Sequence, residues 1–329
     1  MHRSLHCRLF LLVACLTFSL SAAFAQRIIA TVPVGDEPRG VAVNSYSGRV
    51  YVANVHSGTI SVIHTGSVIE TIPVDTLPYV VAINDKTNRI YAAGCNFLTG
   101  AGSMVVVIDG RTNKVITDIP LNQFCGLGTQ GIAVNQFTNR VYVSDYDDSQ
   151  EVVIDGATNQ ITARVDLNGG LALGVAVDLL TNQEWVALDG PTGQVDILDG
   201  ASNSILSTVA IGEVFVNNVA INPSTRRVYI ASDSTPSGLY VLNAQTHQVL
   251  TKVPTGQFSN DVSIDLLSNL IFVTDGQGNQ VFVVDGKSTA IVSTVPLRGL
   301  FPSGIAPNPV TRTVYITDFD SSQVEIMPE

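Results

Sequence analysis

An all-β fold, a seven-bladed β-propeller with four antiparallel strands per blade, follows from three observations on this sequence. One short pattern recurs seven times: GVAVN (40–44), VVAIN (80–84), GIAVN (131–135), GVAVD (174–178), NVAIN (218–222), DVSID (261–265) and GIAPN (304–308). Successive copies lie 40, 51, 43, 44, 43 and 43 residues apart, the period of blades built from short alternating strands. An aromatic residue stands ten residues after the second residue of every copy: Tyr51, Tyr91, Tyr142, Trp185, Tyr229, Phe272 and Tyr315. One hairpin of each unit therefore has fixed length, and insertions fall elsewhere. The third observation concerns the ends. The last copy stops at QVEIMPE (323–329), one strand short, while RIIATVPV (27–34) reads as an outer strand with nothing before it. The two halves complete one blade, so the N-terminal strand is expected to close the ring. An open solenoid would instead show atypical capping repeats.

Each unit reads as four strands, a to d. Strand a is the GVAVN-type segment. The turn after it, as in NSYSGR (44–49), NDKTNR (84–89) and NQFTNR (135–140), is rich in residues that tolerate tight backbone geometry. Strand b carries the aromatic. Strand c follows, as in VVVID (105–109) and QVFVVD (280–285). Strand d often ends in proline, as in TIPV (71–74), DIPL (118–121), KVPT (252–255) and TVPL (294–297). Proline lacks a ladder donor and suits the outermost strand, where it discourages edge-to-edge pairing.

The b-strand segments YVAN (51–54), YAAG (91–94), YVSD (142–145), YIAS (229–232), FVTD (272–275) and YITD (315–318) resemble the Tyr-Val-Thr-Asn motif of the YVTN family of β-propeller repeat proteins. WVAL (185–188) departs most. The resemblance covers the whole chain after residue 25 and implies architecture rather than chemistry. That family includes surface-layer and other extracytoplasmic proteins. Related propellers include lyases, lactonases, redox-cofactor enzymes and a periplasmic protein that binds single-stranded DNA. Kinship of fold carries no activity by itself.

Residues 1–25 read as a signal peptide. Arg3 and Arg8 precede an apolar run over 9–20, and Ala23, Phe24 and Ala25 form a small-x-small cleavage site before Gln26. A lipoprotein reading would acylate Cys15. It leaves a short apolar stretch before the cysteine and a still-apolar one after it, so the ordinary secretory reading is favoured. Export to the periplasm or the exterior is expected, with 26–329 as a single propeller domain. Without Arg3 and Arg8, the 17 basic residues fall to 15 against 28 acidic ones, a net charge near −13. That repels phosphate backbones and anionic membrane surfaces. No second apolar run is long enough to span a bilayer, and the protein is expected to be a monomer.

Residues 126–131, GLGTQG, spell GxGxxG. A dinucleotide site needs that string to open a helix. Here it runs into strand a of the third copy, so it reads as a flexible connection between blades. Asp109, Asp155, Asp199 and Asp285 share one c–d turn position, with His64, Asn243 and Pro328 in the same slot elsewhere. They read as turn residues, as does the a–b row Asn44, Asn84, Asn135, Asp178, Asn222, Asp265 and Asn308. Asp145, Asp147, Asp148 and Glu151 cluster oxygen ligands as a Ca²⁺ loop does, without the sixth-position glycine of an EF-hand. After residue 25 the histidines are His56, His64 and His247, with no HExxH, paired-His or CxxCH spacing. No metal or cofactor is expected.

Cys95 and Cys125 lie in two insertions of the second unit, one in its b–c loop and one in the d–a connection after it. Those loops emerge on the same face of a propeller. Two long loops on one rim of an exported protein, each with one cysteine, read as a disulfide.

The working surface is expected on that rim. The residue two before each anchor directly precedes the innermost strand and should line the channel mouth: Arg39, Tyr79, Gln130, Leu173, Asn217, Asn260 and Ser303. Two positions further back lie Glu37, Leu77, Gly128, Leu171, Phe215, Phe258 and Phe301, with Phe97 and Phe124 on the insertions. Exposed phenylalanines of that kind mark an interface or pack between blades. Amides, one Tyr and one Arg suit hydrogen bonding to a peptide or sugar better than acid–base work, which needs a tunable titrating group. The leading expectation is a binding protein for a protein or carbohydrate partner in the cell envelope. The alternatives are a lyase- or lactonase-type enzyme using the central pocket, and single-stranded DNA binding, which needs a basic groove.

Overall fold

The computed structural model describes residues 26–329 except 97, 98, 101, 124, 213, 214 and 235. The expected signal peptide with Cys15, and Phe97 and Phe124, lie outside the described residues. Seven four-stranded antiparallel sheets form, each in the order a-b-c-d from the axis outward. The a strands are Pro38–Val43, Leu77–Asn84, Thr129–Asn135, Leu171–Asp178, Val216–Asn222, Ser259–Asp265 and Pro302–Asn308. Each packs beside the next around the axis, and Pro302–Asn308 packs beside Pro38–Val43, so the ring is closed.

Closure uses the N-terminal strand, as expected. Ala30–Pro33 pairs antiparallel with Gln323–Pro328, placing Thr31 opposite Glu325 and Val32 opposite Val324. Val32 enters a core cluster with Val50, Val52, Ile63, Tyr315 and Val324, which joins blade 7 to blade 1. Ile28 enters the cluster between blades 6 and 7. There are seven such clusters among the described residues, one per seam. The core is thus distributed between blades, because each sheet is apolar on both faces of strands b and c.

The repeat motif explains how neighbouring blades hold together. Tyr51 of blade 1 is fully buried and its hydroxyl reaches Asn113 Oδ1 in the c–d turn of blade 2, at 3.3 Å. Tyr229 donates to the Gly286 carbonyl of the next blade at 3.3 Å. The arginine just before or at the start of strand b adds a second tie: Arg49 donates to the Gly110 carbonyl at 2.9 Å. Arg89, Arg140 and Arg227 repeat this with Gly156, Gly200 and Gly286. At the other end of strand b, Thr274 Oγ1 accepts the Asp261 N–H (2.9 Å) and donates to the Ser303 carbonyl of blade 7 (3.1 Å). Thr317 accepts the Gly304 N–H and donates to the Arg39 carbonyl, both at 2.7 Å, across the closing seam. A hydroxyl that accepts within one blade and donates to the next leaves no buried polar group unpaired there.

The a–b and c–d turn residues behave as turn residues. Asn44 Oδ1 accepts the backbone N–H of Tyr46 and Ser47, and Asp109 Oδ1 accepts those of Arg111 and Thr112. The asparagines do more than this. Asn44, Asn84, Asn135 and Asn222 each donate Nδ2 to the turn asparagine of the following blade, Asn88, Asn139, Asn182 and Asn269. Asn308 donates to the Gly48 carbonyl at 3.3 Å, completing the circle.

Candidate functional site

The site begins with an irregularity that recurs in every blade. The a–b pairing slips within Pro38/Val41, Pro78/Val80, Thr129/Gly131, Ala172/Val175, Val216/Asn218, Ser259/Val262 and Pro302/Ile305. Each bulge contains the residue two before the anchor. A bulge leaves its residue unpaired and re-aims its side chain. Here it turns Arg39, Tyr79, Gln130, Leu173, Asn217, Asn260 and Ser303 to one place: all seven line a single cavity of about 80 Å³ at the channel mouth. A second cavity of about 210 Å³ continues down the channel between the a strands. Glycine lets those strands approach, since a Cβ on Gly40 would sit 2.7 Å from Val80 Cα.

Arg39 dominates one side of the mouth. Its guanidinium lies 5.1 Å from the centre of the Tyr79 ring and donates to Gln130 Oε1 at 2.8 Å. Gln130 in turn donates to the Leu127 carbonyl. Burial lowers the pKa of Arg39, against the opposing pull of Tyr79 and Asp261. Burial likewise raises the pKa of Tyr79, which Arg39 opposes. On the other side, Asn217 donates to the Ser259 carbonyl at 3.0 Å. Asn260 donates to the Pro302 carbonyl and to Ser303 Oγ, both at 3.4 Å.

Two mouth residues escaped the sequence argument. Asn218 and Asp261 occupy the first position of the recurring pattern, where four other copies have glycine. That departure was the available signal. Asp261 Oδ1 accepts the Val262 N–H at 2.7 Å and the Asn218 side-chain amide, while Oδ2 accepts the Ile305 N–H at 2.9 Å. Burial raises its pKa to about 6 against these hydrogen bonds. The carboxylate therefore braces blades 5, 6 and 7 together. With both oxygens committed to donors, it is poorly placed to take a proton from a substrate.

Around the mouth, the outer positions divide into two arcs. Leu171 and Phe215 are 38% and 49% exposed. Phe258, Phe301 and Phe319 are half-buried, with ring centres 5.7 Å (Phe258–Phe301) and 6.2 Å (Phe301–Phe319) apart. Blades 4 to 7 therefore carry an apolar arc. Leu77 is buried, and Glu37 and Gly128 take positive φ angles of 54° and 68°.

Cys95 and Cys125 form a disulfide, with Cα atoms 5.7 Å apart. It ties the blade 2 b strand to the connection leading into blade 3, on the mouth side. A loop of this size contributes about 3–4 kcal/mol in the chain-entropy account. Gly128 packs against it, since a Cβ there would lie 2.7 Å from both Cys95 Cβ and Sγ.

One expectation about a nearby loop needs correction. The glycine string is not a slack connection. The N–H groups of Gly126, Leu127 and Gly128 all point at the Asp147 carboxylate, at 2.8, 2.9 and 2.9 Å. The loop is an anion nest, and its anion is the chain's own. The Ca²⁺ reading fails on geometry. Asp147 is spent on that nest, and Asp145 takes the Asn122 amide at 2.8 Å. Glu151 lies on strand c (Gln150–Asp155), bonded to Ser144 at 3.0 Å inside the blade 3–4 seam. Among the described residues, no three His, Cys, Asp or Glu side chains converge as a metal site. His247 lies at the opposite rim, edge-on to Trp185 at 5.4 Å, and His56 is exposed.

No family model and no curated protein matches the chain. Among solved structures it is similar to the Kuenenia stuttgartiensis hydrazine synthase, with a TM-score of 0.79 at 14% identity, covering 89% of this chain and 96% of that one. At that identity the likeness is one of fold.

Proposed function

We propose that this protein is an exported, YVTN-type β-propeller that binds a protein or carbohydrate partner in the cell envelope through its channel mouth. One observation carries the reading. Seven bulges, one per blade, aim seven side chains at one cavity, and the polar ones are amides, hydroxyls and a guanidinium. Such groups recognise and orient a ligand. The carboxylate that lines this cavity, Asp261, already holds three donors. A lyase or lactonase would need a titrating group free to move a proton, and a single-stranded DNA site would need a basic groove, which the acidic balance disfavours.

Export rests on the basic and apolar character of residues 1–25 and on the Cys95–Cys125 disulfide, which suits an oxidising compartment. Among the described residues no helix is long and apolar enough to cross a membrane.

Replacing Arg39, Tyr79 and Asn260 together with alanine is expected to abolish partner binding while leaving the melting temperature within a few degrees of wild type. Binding that survives this change, but is lost when the a–b and c–d turns are altered, would move the site to the opposite rim.

A further inference from the structure

We propose that the mouth captures the free C-terminal carboxylate of an extended polypeptide that ends in an apolar side chain, with Arg39 as the carboxylate's partner. This rests on the mouth reading above and narrows its partner class.

Arg39 is an unspent cation. A guanidinium has five N–H donors, and the described residues engage one of them, on Gln130. Arg39 takes part in neither of the ion pairs Arg111–Asp109 and Arg312–Glu329. Asp261 acts on it electrostatically, yet both Asp261 oxygens are occupied by the Val262 and Ile305 N–H groups and the Asn218 amide. A half-buried cation stacked on Tyr79 and clamped by Gln130 has lost water while gaining no carboxylate in direct contact, Asp261 acting on it only at a distance. Its planar fork matches a carboxylate in two-point fashion.

What surrounds Arg39 favours a peptide end over other carboxylates. Asn217 and Asn260 commit their Nδ2 groups to carbonyls of the following blade. No described group donates to their Oδ1 atoms, which leaves two acceptors lining the cavity for the N–H groups of an extended chain. The arc of Leu171, Phe215, Phe258 and Phe301 lies two residues outside the mouth and would receive an apolar terminal side chain. An acidic sugar calls for a flat, open aromatic face. The Tyr79 ring is covered by Arg39, and Phe258 and Phe301 are tilted against each other by 43°.

The test uses residues 26–329 and random-sequence peptides fixed by their N-termini, ending in Leu, Phe or Val, as free acids and as C-terminal amides. The free acids are expected to bind about ten- to a hundred-fold more tightly, the range for a charge-assisted hydrogen-bonded pair. Arg39→Gln should erase that preference, and Gln130→Ala, which keeps the charge but removes its clamp, should reduce it. Equal binding of acids and amides by wild type would overturn the inference. So would tighter binding of oligogalacturonate or laurate than of the free-acid peptides, or no binding of either peptide set. If acids and amides bind equally but Asn260→Ala abolishes both, the mouth reading stands and only the carboxylate assignment falls. Loss of the natural partner's binding in the triple alanine variant decides the mouth reading independently.

Discussion

Deleting residues 26–34 is expected to abolish cooperative unfolding and to cause aggregation. The segment supplies strand Ala30–Pro33, the fourth strand of the last blade. It buries Val32 between blades 7 and 1 and Ile28 between blades 6 and 7. Burial of two such side chains is worth about 3–6 kcal/mol, before the ladder bonds of Ala30–Pro33 with Gln323–Pro328 are counted. That is a large part of the roughly 5–15 kcal/mol by which a domain is stable. The loss also bares Gln323–Pro328 as an open edge, a template for pairing with another copy. Thermal unfolding and light scattering of the truncated protein check this. A truncated protein with wild-type melting temperature and no aggregation would show that the seam closes without the strand.

The second large effect concerns two acids buried where the repeat calls for aliphatic residues. Glu184 and Glu151 are fully buried in the seam between blades 3 and 4, among Val153, Val175, Val186 and Leu188. The other six blades have Val50, Ile90, Val141, Val228, Ile271 and Val314 at the Glu184 position. Neither Glu184 carboxyl oxygen has a partner at hydrogen-bond geometry, and the Tyr142 hydroxyl, the nearest donor, is itself unpaired by the same measure. Burial raises its pKa from 4.5 to about 8, and burial, then repulsion from Glu184, raises that of Glu151 well above the usual range. The Tyr142 hydroxyl, and then Arg140, favour the charged form of Glu184, while Asp199 opposes it. Below about pH 4.5 the folded and unfolded chains both hold the proton. Above it the unfolded chain ionises while the folded one stays neutral, so stability falls until the folded carboxyl ionises near pH 8. Glu184→Val should therefore stabilise the protein by about 3–5 kcal/mol at pH 8 and by far less at pH 5. Melting curves of both proteins from pH 5 to 8 test this. A wild-type melting temperature that does not fall across that range, or a valine variant less stable at pH 8, would contradict it.

The fold was readable because a propeller repeats its physics. The fixed ten-residue step from anchor to aromatic encodes one hairpin, and the aromatic hydroxyls of Tyr51 and Tyr229 bridge to the next blade. Arg39, Tyr79 and Asn260 could be placed at the mouth by counting back from the anchor, because the innermost strand begins there. The bulge that aims them left no sequence mark, since residues as different as Arg39 and Leu173 occupy it. Asp261 and Asn218 stand one residue before the anchor, where glycine in four other copies gives no hint of a mouth-lining side chain. The setting of Glu151 is hidden for another reason. Its neighbours Asp145, Asp147 and Asp148 suggested a loop of ligands, and only the strand register shows that it faces the opposite way into a seam. The ligand itself left the faintest trace. It is written in a few side chains on a scaffold whose other residues answer to packing.

Site-specific photo-cross-linking in cells that export the full chain tests most directly whether the channel mouth is the binding surface. A photoreactive residue at Phe215, on the apolar arc beside the mouth, is compared with one at Ala157, an exposed c–d turn position on the opposite rim. The mouth reading predicts a discrete adduct from position 215 that disappears in the Arg39, Tyr79 and Asn260 triple alanine background, and none from position 157. An adduct from position 157 with none from position 215 would contradict it.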